Sequence, residues 1–427
     1  MLTTGVLSLI LTVCLAENRS IQGDCMSRTI RVMENRELEK GFDARAAATE
    51  AARCLLCLDA PCSAACPAGT DPARFIRSLR FSNLWGAAET IRENNPLGAS
   101  CSRICPVNEL CEGACARSRL DEPVKIAKLQ RFITDEERRL DMHILKAGEP
   151  NGKKIACIGA GPASLACAVE LARAGCKVTI FEETAQPGGM LSFGIPPFRL
   201  PSEIIDFDLS LIGEMGIEFF CDTHLTSHDL DNLLERYDAV FVGTGLMKPK
   251  TLDLPGKELE GVHHALNWLK TARLEKPSEK GYRIVIIGDG DVAMDCATTA
   301  ASLLAANVKL VYCRPIAFAS ANINETLLAV KMGIPVLTEF FPKEIRGENG
   351  KVTGIVFTGA DGISTMTLAT DKVILAVGQE KANDLANLPK HPRLFAGGDR
   401  TNGGLTVVAA IASGKRTAKA ILNTIVG

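Results

Sequence analysis

Apolar positions recur at helical spacing along the first third of the chain. The stretch from Asp43 to Arg53 is mainly Ala, Glu and Arg, Pro72 to Asn94 carries apolar residues three and four positions apart, and Pro123 to Arg139 repeats the pattern. Such spacing is typical of amphipathic helices. We therefore predict a small all-α domain over residues 26–148.

The pattern changes at Lys154. A short apolar strand, Lys154 to Ile158, precedes a glycine-containing turn, an Ala/Leu-rich helix to Ala174 and a second strand, Lys177 to Phe181. The same order returns from Arg283, where Ile284 to Ile287, a helix from Met294 to Leu304 and the strand Val308 to Tyr312 follow one another. Alternating strands and helices predict parallel sheets.

Three further apolar runs end in glycine turns, at residues 239–245, 372–378 and 394–399, and a helix is predicted from Val407 to Leu422. The first sheet then resumes after the second unit. We predict that residues 149–250 and 371–427 form one α/β domain, and that residues 251–370 form a second domain inserted into it.

The apolar run from Met1 to Leu15 resembles the core of a signal peptide. No Lys or Arg precedes it, and it is too short to span a membrane. We expect residues 1–25 to be an extension without a structural role, with translation starting at Met26.

Composition narrows the class of protein. The 427 residues are 46% hydrophobic and 23% charged, as in ordinary globular proteins, and fit two to four domains. A formal net charge of -2 gives no electrostatic reason to expect a nucleic acid or an anionic membrane as a partner.

Eight of the sixteen cysteines lie in two runs, Cys54 to Cys66 and Cys101 to Cys115, with no histidine between them. Clustered thiolates beside C-P steps favour iron–sulfur clusters. Two structural zinc ions, disulfides or buried apolar cysteines are the alternatives, although disulfides suit small secreted domains better. If the thiols hold clusters, a cytoplasmic location fits better than export.

The first glycine turn, Gly159-Ala-Gly161-Pro-Ala-Ser164, lies between a strand and a helix, and Glu182 ends the next strand. Glycines there let the backbone approach a pyrophosphate at the helix N-terminus, and the acid can bind ribose hydroxyls. This turn predicts an FAD site, and Asp399 near the chain end is placed to meet the ribityl and phosphate part of FAD.

The second turn, Gly288-Asp-Gly290-Asp-Val-Ala293, predicts a nicotinamide dinucleotide site. Arg314 stands near the position of the ribose-reading acid, where it can meet a 2′-phosphate. A solvated arginine at a strand end is an equally good interpretation, so NAD(H) and NADP(H) both stay open. The predicted fold class is an α-helical iron–sulfur domain followed by an α/β flavoprotein with two dinucleotide sites, an FAD domain with an inserted NAD(P) domain.

With these motifs the chain resembles the electron-input (PreT-type) subunits of bacterial NAD-dependent dihydropyrimidine dehydrogenase. It is also similar to the N-terminal half of the long eukaryotic enzyme and, more distantly, to the glutamate synthase small subunit. The resemblance covers about Ala48 to Ile421. It rests on R-C-L-L-C-L-D-A-P-C, A-A-E-T-I-R-E-N-N-P-L-G, C-P-x5-C-x3-C, G-I-P-P-F-R-L-P from Gly194 and D-V-A-M-D-C.

The resemblance implies two [4Fe–4S] clusters. It assigns Cys54, Cys57, Cys62 and Cys115 to one cluster. It assigns Cys66, Cys105, Cys111 and the amide of Gln130 to the other, which leaves Cys101 without a metal. A neutral amide in place of a thiolate would raise that cluster's potential, while an exposed helix residue is the plainer interpretation of Gln130.

The resemblance also implies the remaining site residues. Those assigned to FAD are Gly159, Gly161, Glu182, Gly189, Leu191, Arg199 and Asp399, and those assigned to NAD(P) are Gly288, Gly290, Asp291 and Arg314. No general acid or nucleophile is expected, because the reaction is a relay of electrons from NAD(P)H through FAD to the clusters.

The expected partner is an FMN-containing catalytic subunit that reduces uracil or thymine, since too few residues remain here for an FMN barrel. A glutamate synthase-type subunit and a zinc-binding flavoprotein are the alternatives. The chain departs from its relatives by a shorter segment between Gln379 and Leu394. The segment after Arg314 also lacks the charges usual in the family, which leaves the nicotinamide preference open.

Overall fold

The computed structural model describes residues 37–381 and 383–425. The predicted extension and the start at Met26 lie outside them. The first described part is helical. Its α-helices are α1 Ala44–Ala52, α2 Pro61–Ala64, α3 Pro72–Arg80, α4 Leu84–Asn94, α5 Gly98–Ile104 and α6 Ile126–Arg139, with a 3₁₀ turn at Ala116–Arg119.

Short polar side chains set the helix starts. Asp43 accepts a hydrogen bond from Ala46 N at 2.7 Å, and Asp71 accepts one from Arg74 N at 3.1 Å. The apolar pattern from Pro72 to Asn94 is divided into α3 and α4, because Ser82 adopts a left-handed conformation with φ 57° and Asn83 caps the second helix. The predicted helical domain is therefore confirmed, with one more helix boundary than its periodicity indicated.

The next part alternates strands and helices. Its elements are β1 Lys154–Ile158, α7 Pro162–Arg173, β2 Lys177–Phe181, α8 Met190–Phe193, α9 Ser202–Gly213, β3 Glu218–Phe220, α10 Leu230–Arg236 and β4 Ala239–Val242.

The inserted part contains a second parallel unit and an antiparallel ribbon. Its elements are β5 Lys248–Pro249, β6 Val262–His264, α11 Ala265–Glu275, β7 Arg283–Ile287, α12 Asp291–Ser302, β8 Asn307–Val311, α13 Ile323–Lys331, β9 Val336–Leu337, β10 Phe340–Glu348, β11 Lys351–Gly359, β12 Thr365–Ala369 and β13 Lys372–Leu375. The chain ends with β14 Gln379–Glu380, β15 Leu394–Ala396, α14 Asp399–Asn402 and α15 Val407–Ile425.

Two five-stranded parallel sheets organise these elements. The first has the order β15-β4-β1-β2-β3, so its edge strand β15 comes from the end of the chain. The second has the order β6-β13-β7-β8-β9, and β10-β11-β12 form a separate antiparallel sheet. The second unit is thus inserted into the first, as predicted. We call them the flavin unit and the nicotinamide unit.

The predicted boundary at residue 371 is wrong by one strand. β13 pairs with β6 and β7 in the nicotinamide sheet, so the chain returns to the flavin unit only after Leu375. The two crossings, β5 and β14, pair with each other in an antiparallel ribbon of two strands. Sequence alone misplaced β13 because a buried run that ends in glycine suits either sheet.

The helical region and the flavin unit share a core. Leu97, Ala99 and Cys101 of the α5 segment are buried in the same apolar cluster as the flavin-sheet residues Ile155 and Ile180. The helical region's own cluster is smaller and is centred on side chains such as Phe75 and Leu129. No helix among the described residues is long and apolar enough to cross a membrane.

Candidate functional site

Four cysteines of the helical region line one small cavity. Cys54 and Cys57 lie in the loop after α1, Cys62 in α2, and Cys115 just before the 3₁₀ turn. Two arginines fix the loop: Arg80 Nη1 donates to Cys54 O at 3.0 Å, and Arg117 Nη1 donates to Arg53 O at 3.0 Å. These are the four thiols predicted to share one cluster, and the structure brings them together.

The other predicted thiols form a second group beside the first. Cys105 caps the C-terminus of α5, and the neighbouring thiols of Cys101, Cys66 and Cys111, together with burial, raise its pKa. Burial raises the pKa of Cys62 to about 11 and that of Cys111 to about 12, and each of these groups also feels the charge of neighbouring thiols. A metal binding here must therefore displace protons.

Gln130 lies in α6 and is 9% exposed, so it is not the exposed helix residue of the plainer interpretation. Its Nε2 donates to Gly98 O at 2.8 Å, at the start of the helix that ends at Cys105. The hydrogen bond through nitrogen leaves the carbonyl oxygen as the atom available to a metal. The assignment of Gln130 as a cluster ligand stays a prediction.

Two observations concern the disulfide and zinc alternatives for the cysteines. All eight cysteines of the two runs are free thiols. Within residues 37–381 and 383–425, no group of three or more His, Cys, Asp or Glu side chains surrounds a position for a single metal ion.

The first glycine turn joins β1 to α7. Gly159 has φ 88°, and a Cβ there would lie 3.1 Å from Gly243 O at the end of β4, so this position favours glycine. Glu182 is 8% exposed and folds back onto the turn, where its Oε2 accepts a hydrogen bond from Ala160 N at 2.6 Å. Its Oε1 accepts from Thr184 N at 2.9 Å.

This turn carries polar groups without partners. The buried hydroxyls of Ser164 and Thr244 have no hydrogen-bond partner among the described residues. Asp399 lies at the start of α14; burial raises its pKa, and its Oδ1 accepts a hydrogen bond from Leu405 N at 3.3 Å. Buried polar groups without partners usually meet a ligand or water. Thr244 and Asp399 line a large cavity, so they fit the pyrophosphate and ribityl part of FAD, whereas Ser164 does not line it.

The second glycine turn joins β7 to α12. Gly288 has φ 144°, and a Cβ there would lie 2.3 Å from Ala376 O after β13. Gly290 caps α12, and Asp291 Oδ1 accepts a hydrogen bond from Asn322 N at 2.8 Å. Arg314 lies beside this turn and pairs with Asp289, a residue that the sequence analysis did not select.

One cavity of about 1390 Å³ connects the two turns. Ten of the eleven residues predicted to bind the dinucleotides line it: Gly159, Gly161, Glu182, Gly189, Arg199, Asp399, Gly288, Gly290, Asp291 and Arg314. Leu191 does not; its side chain is fully buried in the core of the flavin unit. Cys105 of the second thiol group lies on the wall of the same cavity.

Arg199 links the two units. Its guanidinium pairs with Asp295 of α12 and Glu325 of α13, although the arginine itself belongs to the flavin unit. Burial raises the pKa of Asp295 to about 6 and that of Glu325 to about 7, against the opposing effect of Arg199. The role of Arg199 toward FAD stays a prediction, and its two ion pairs form a contact between the flavin and nicotinamide units.

Comparison with known proteins agrees with this architecture. Residues 31–142 match the family described as dihydropyrimidine dehydrogenase domain II, 4Fe-4S cluster, and residues 153–414 match the pyridine nucleotide-disulphide oxidoreductases. The chain is 41% identical, over 90% of its length and 96% of the relative, to the NAD-dependent dihydropyrimidine dehydrogenase subunit PreT homolog of Salmonella typhi.

The chain belongs to the PreT family of dihydropyrimidine dehydrogenase subunits. It is an oxidoreductase with a 4Fe–4S domain and a two-dinucleotide flavoprotein fold, so the predicted family and fold class are confirmed.

More distant relatives share the architecture. The glutamate synthase [NADPH] small chain of Escherichia coli is 32% identical, over 92% of this chain and 94% of that one. The structure of Mycobacterium tuberculosis FprA in complex with NADPH superposes with a TM-score of 0.55 at 18% identity, covering 65% of this chain and 84% of that chain. The second likeness concerns the fold alone.

A buried ion network was not predicted. Arg92 of α4 is fully buried; its Nε lies 2.9 Å from Glu137 of α6, and its Nη1 lies 2.5 Å from Asp208 of α9. Asp208 also accepts hydrogen bonds from Ser100 N and Oγ at the start of α5. The network therefore ties the helix that leads to Cys105 to the flavin unit, and helical periodicity contains no signal for it.

Proposed function

We propose that this chain is the electron-input subunit of a dihydropyrimidine dehydrogenase. It takes electrons from a nicotinamide dinucleotide at the second glycine turn and delivers them singly, through two clusters, to a partner subunit that reduces uracil or thymine. FAD, when bound, supplies the exchange between two-electron and one-electron chemistry. The observation that carries the proposal is the shared cavity, whose wall contains both glycine turns and Cys105.

The residues of the chain have distinct parts in this proposal. The backbone of Gly159 to Gly161 and the carboxylate of Glu182 bind and orient FAD, and the turn from Gly288 binds the nicotinamide dinucleotide. Arg199 holds the two units together through its carboxylate partners. The thiol groups hold the clusters: Cys105 of the second group lines the large cavity, and the first group lines a separate small cavity.

The family match supports clusters over zinc, because residues 31–142 match a family described by its 4Fe-4S cluster. A [4Fe–4S] cluster binds four ligands through four different irons. The four thiols that line one small cavity can supply such a ligand set. Two clusters in the helical region would take eight irons per chain.

Exposed apolar side chains beside the first thiol group support a docking partner. Leu58, Phe81 and Leu120 are 94%, 76% and 69% exposed, and all three lie in or next to the loops around Cys54, Cys57 and Cys115. Apolar side chains of this size on a surface commonly mark protein interfaces. We place the FMN-containing partner there, beside the first thiol group.

The test uses the full chain with and without its dihydropyrimidine dehydrogenase-type partner. Alone, the chain should reduce artificial dyes with NADH, contain eight irons and leave uracil unreduced; with the partner, NADH oxidation should drive uracil reduction. Leu58→Glu should weaken the coupled reaction at least tenfold and leave dye reduction intact. Ile363→Glu is the control, since Ile363 is 86% exposed in the hairpin between β11 and β12.

Two results would contradict the proposal. Uracil reduction by the isolated chain would show that no partner subunit is needed to reduce the pyrimidine. Zinc in place of iron, with dye reduction intact, would favour the zinc-binding flavoprotein and reduce the helical region to a structural part.

A further inference from the structure

Asp289 occupies the middle of the second glycine turn, between Gly288 and Gly290. Its Oδ2 lies 2.5 Å from Arg314 Nε, in a charge contact that is not an aligned hydrogen bond, and its Oδ1 accepts from Arg314 Nη2 at 3.2 Å. The Asp289 side chain is 14% exposed and that of Arg314 is 56% exposed. The more buried carboxylate thus anchors the more exposed guanidinium.

Asp289 is also tied to the loop that follows Arg314. Ser320 Oγ donates to Asp289 Oδ1 at 3.2 Å, and Ala321 N donates to Asp289 O at 2.8 Å. Asp289, Arg314 and Ser320 all line the cavity that connects the two turns. The Asp289 carboxylate therefore lies where Arg314, which follows β8, would meet a bound nucleotide.

An arginine in this position can bind the 2′-phosphate of NADP(H), a group with about two negative charges at neutral pH. Asp289 changes that outcome in two ways. Its charge compensates that of Arg314, and a 2′-phosphate that approached Arg314 would also approach the carboxylate. Rejection of a competing ligand by a repulsive group is a common source of specificity.

We propose that Asp289 is a specificity-determining residue that holds Arg314 and excludes dinucleotides with a 2′-phosphate, so that this site takes NAD(H). The inference rests on the proposed function, because it concerns the nicotinamide site of that same electron relay. Arg314 in this arrangement stabilises the turn and the loop through Asp289 and does not read a phosphate.

The test measures equilibrium binding of NAD⁺ and NADP⁺ to the oxidised holoprotein by calorimetry, without turnover. Asp289→Asn keeps the shape of the side chain and removes its charge. It should tighten NADP⁺ binding at least tenfold and change NAD⁺ binding less than threefold. Arg314→Ala alone should change NADP⁺ binding little, whereas in the Asp289→Asn background it should abolish the gain, which is the coupling that a double-mutant cycle detects.

The matched control is Asp371→Asn. Asp371 pairs with Arg283 at the opposite end of the same sheet, where the two side chains are 30% and 45% exposed. Loss of this carboxylate should leave the ratio of the two dissociation constants unchanged.

Each other result overturns the inference in a recognisable way. If Arg314→Ala weakens NADP⁺ binding equally with and without Asp289, the arginine reads the phosphate despite its partner. If Asp289→Asn leaves NADP⁺ binding unchanged, the carboxylate excludes nothing. If the unaltered protein binds neither dinucleotide while its flavin and iron are complete, the proposed function itself fails at this site.

Discussion

The cysteine-bearing region and the flavin unit hold their functional groups in different ways. In the flavin unit, a turn between β1 and α7 presents backbone groups, and a regular parallel sheet supports it. In the cysteine region, the functional groups are side chains in loops between short helices, and the apolar cluster that supports them is small. A region of the second kind depends on its metal and on its neighbours for stability, whereas a region of the first kind depends on its own core.

Removing one thiol should show the difference between the cysteine region and the flavin unit most clearly. Cys115→Ser should cost one cluster, four of eight irons per chain, because the remaining three thiols no longer complete the ligand set. FAD should stay bound, since its site belongs to the flavin unit. Iron content and flavin absorbance of the purified protein measure both quantities.

Cys101→Ser is the control for that experiment. Cys101 is 2% exposed in the same region but is assigned no metal, so its loss should leave the iron content unchanged. Full iron content in Cys115→Ser would show that the first ligand set is wrong.

The buried network sharpens the comparison, because it joins the two regions. Arg92→Met leaves Glu137 and Asp208 buried without a compensating charge, which typically costs about 3–5 kcal/mol. The exposed pair of Arg283 with Asp371 should be worth less than about 1 kcal/mol, so Arg283→Met is the matched control. Thermal unfolding of the two variant holoproteins measures both losses of stability. Equal losses would show that the buried network stabilises the fold no more than an exposed ion pair does.

A smaller effect should come from the link between the flavin and nicotinamide units. Burial raises the folded-state pKa of Glu325 to about 7 from an ordinary value of 4.5, so the folded protein holds a proton that the unfolded chain releases. Stability should therefore fall as pH rises from about 4.5 to 7, by at most about 1.4 kcal/mol per pH unit for one proton.

Glu325→Gln should flatten that part of the pH profile of unfolding. Asp295, whose pKa burial raises to about 6, would account for the slope that persists at lower pH in the variant. The same profile in the variant and the unaltered protein would show that Glu325 is not the group that titrates.

The sequence predicted the flavin unit far better than the details of the cysteine region. β1 and β2 have the predicted bounds, because each is a short run of mainly buried residues that begins at an exposed lysine. Helix α5 was not predicted: its residues Gly98 to Ser102 are all buried, so they show no alternation of apolar and polar faces.

The candidate site shows the same limit. The glycine turns and the thiols could be selected because their chemistry is local in sequence. The charged partners could not: Arg92 meets residues 45 and 116 positions away, and Asp289 meets Arg314 25 positions later. Pairings of this kind depend on how the units pack, which no spacing along the chain records.

The contact between Lys415 and the cysteine region has a consequence for the order in which the protein is synthesised and folded. Lys415 lies in the last helix, α15, and its Nζ donates to Ala68 O at 2.7 Å and to Asn94 O at 2.6 Å in the cysteine region. About 300 residues separate it from Cys115, the last of the clustered thiols, so at roughly 5–20 residues per second a ribosome needs about 15–60 s to cover that interval. The nascent cysteine region thus leaves the ribosome well before α15, the helix whose lysine bonds to it.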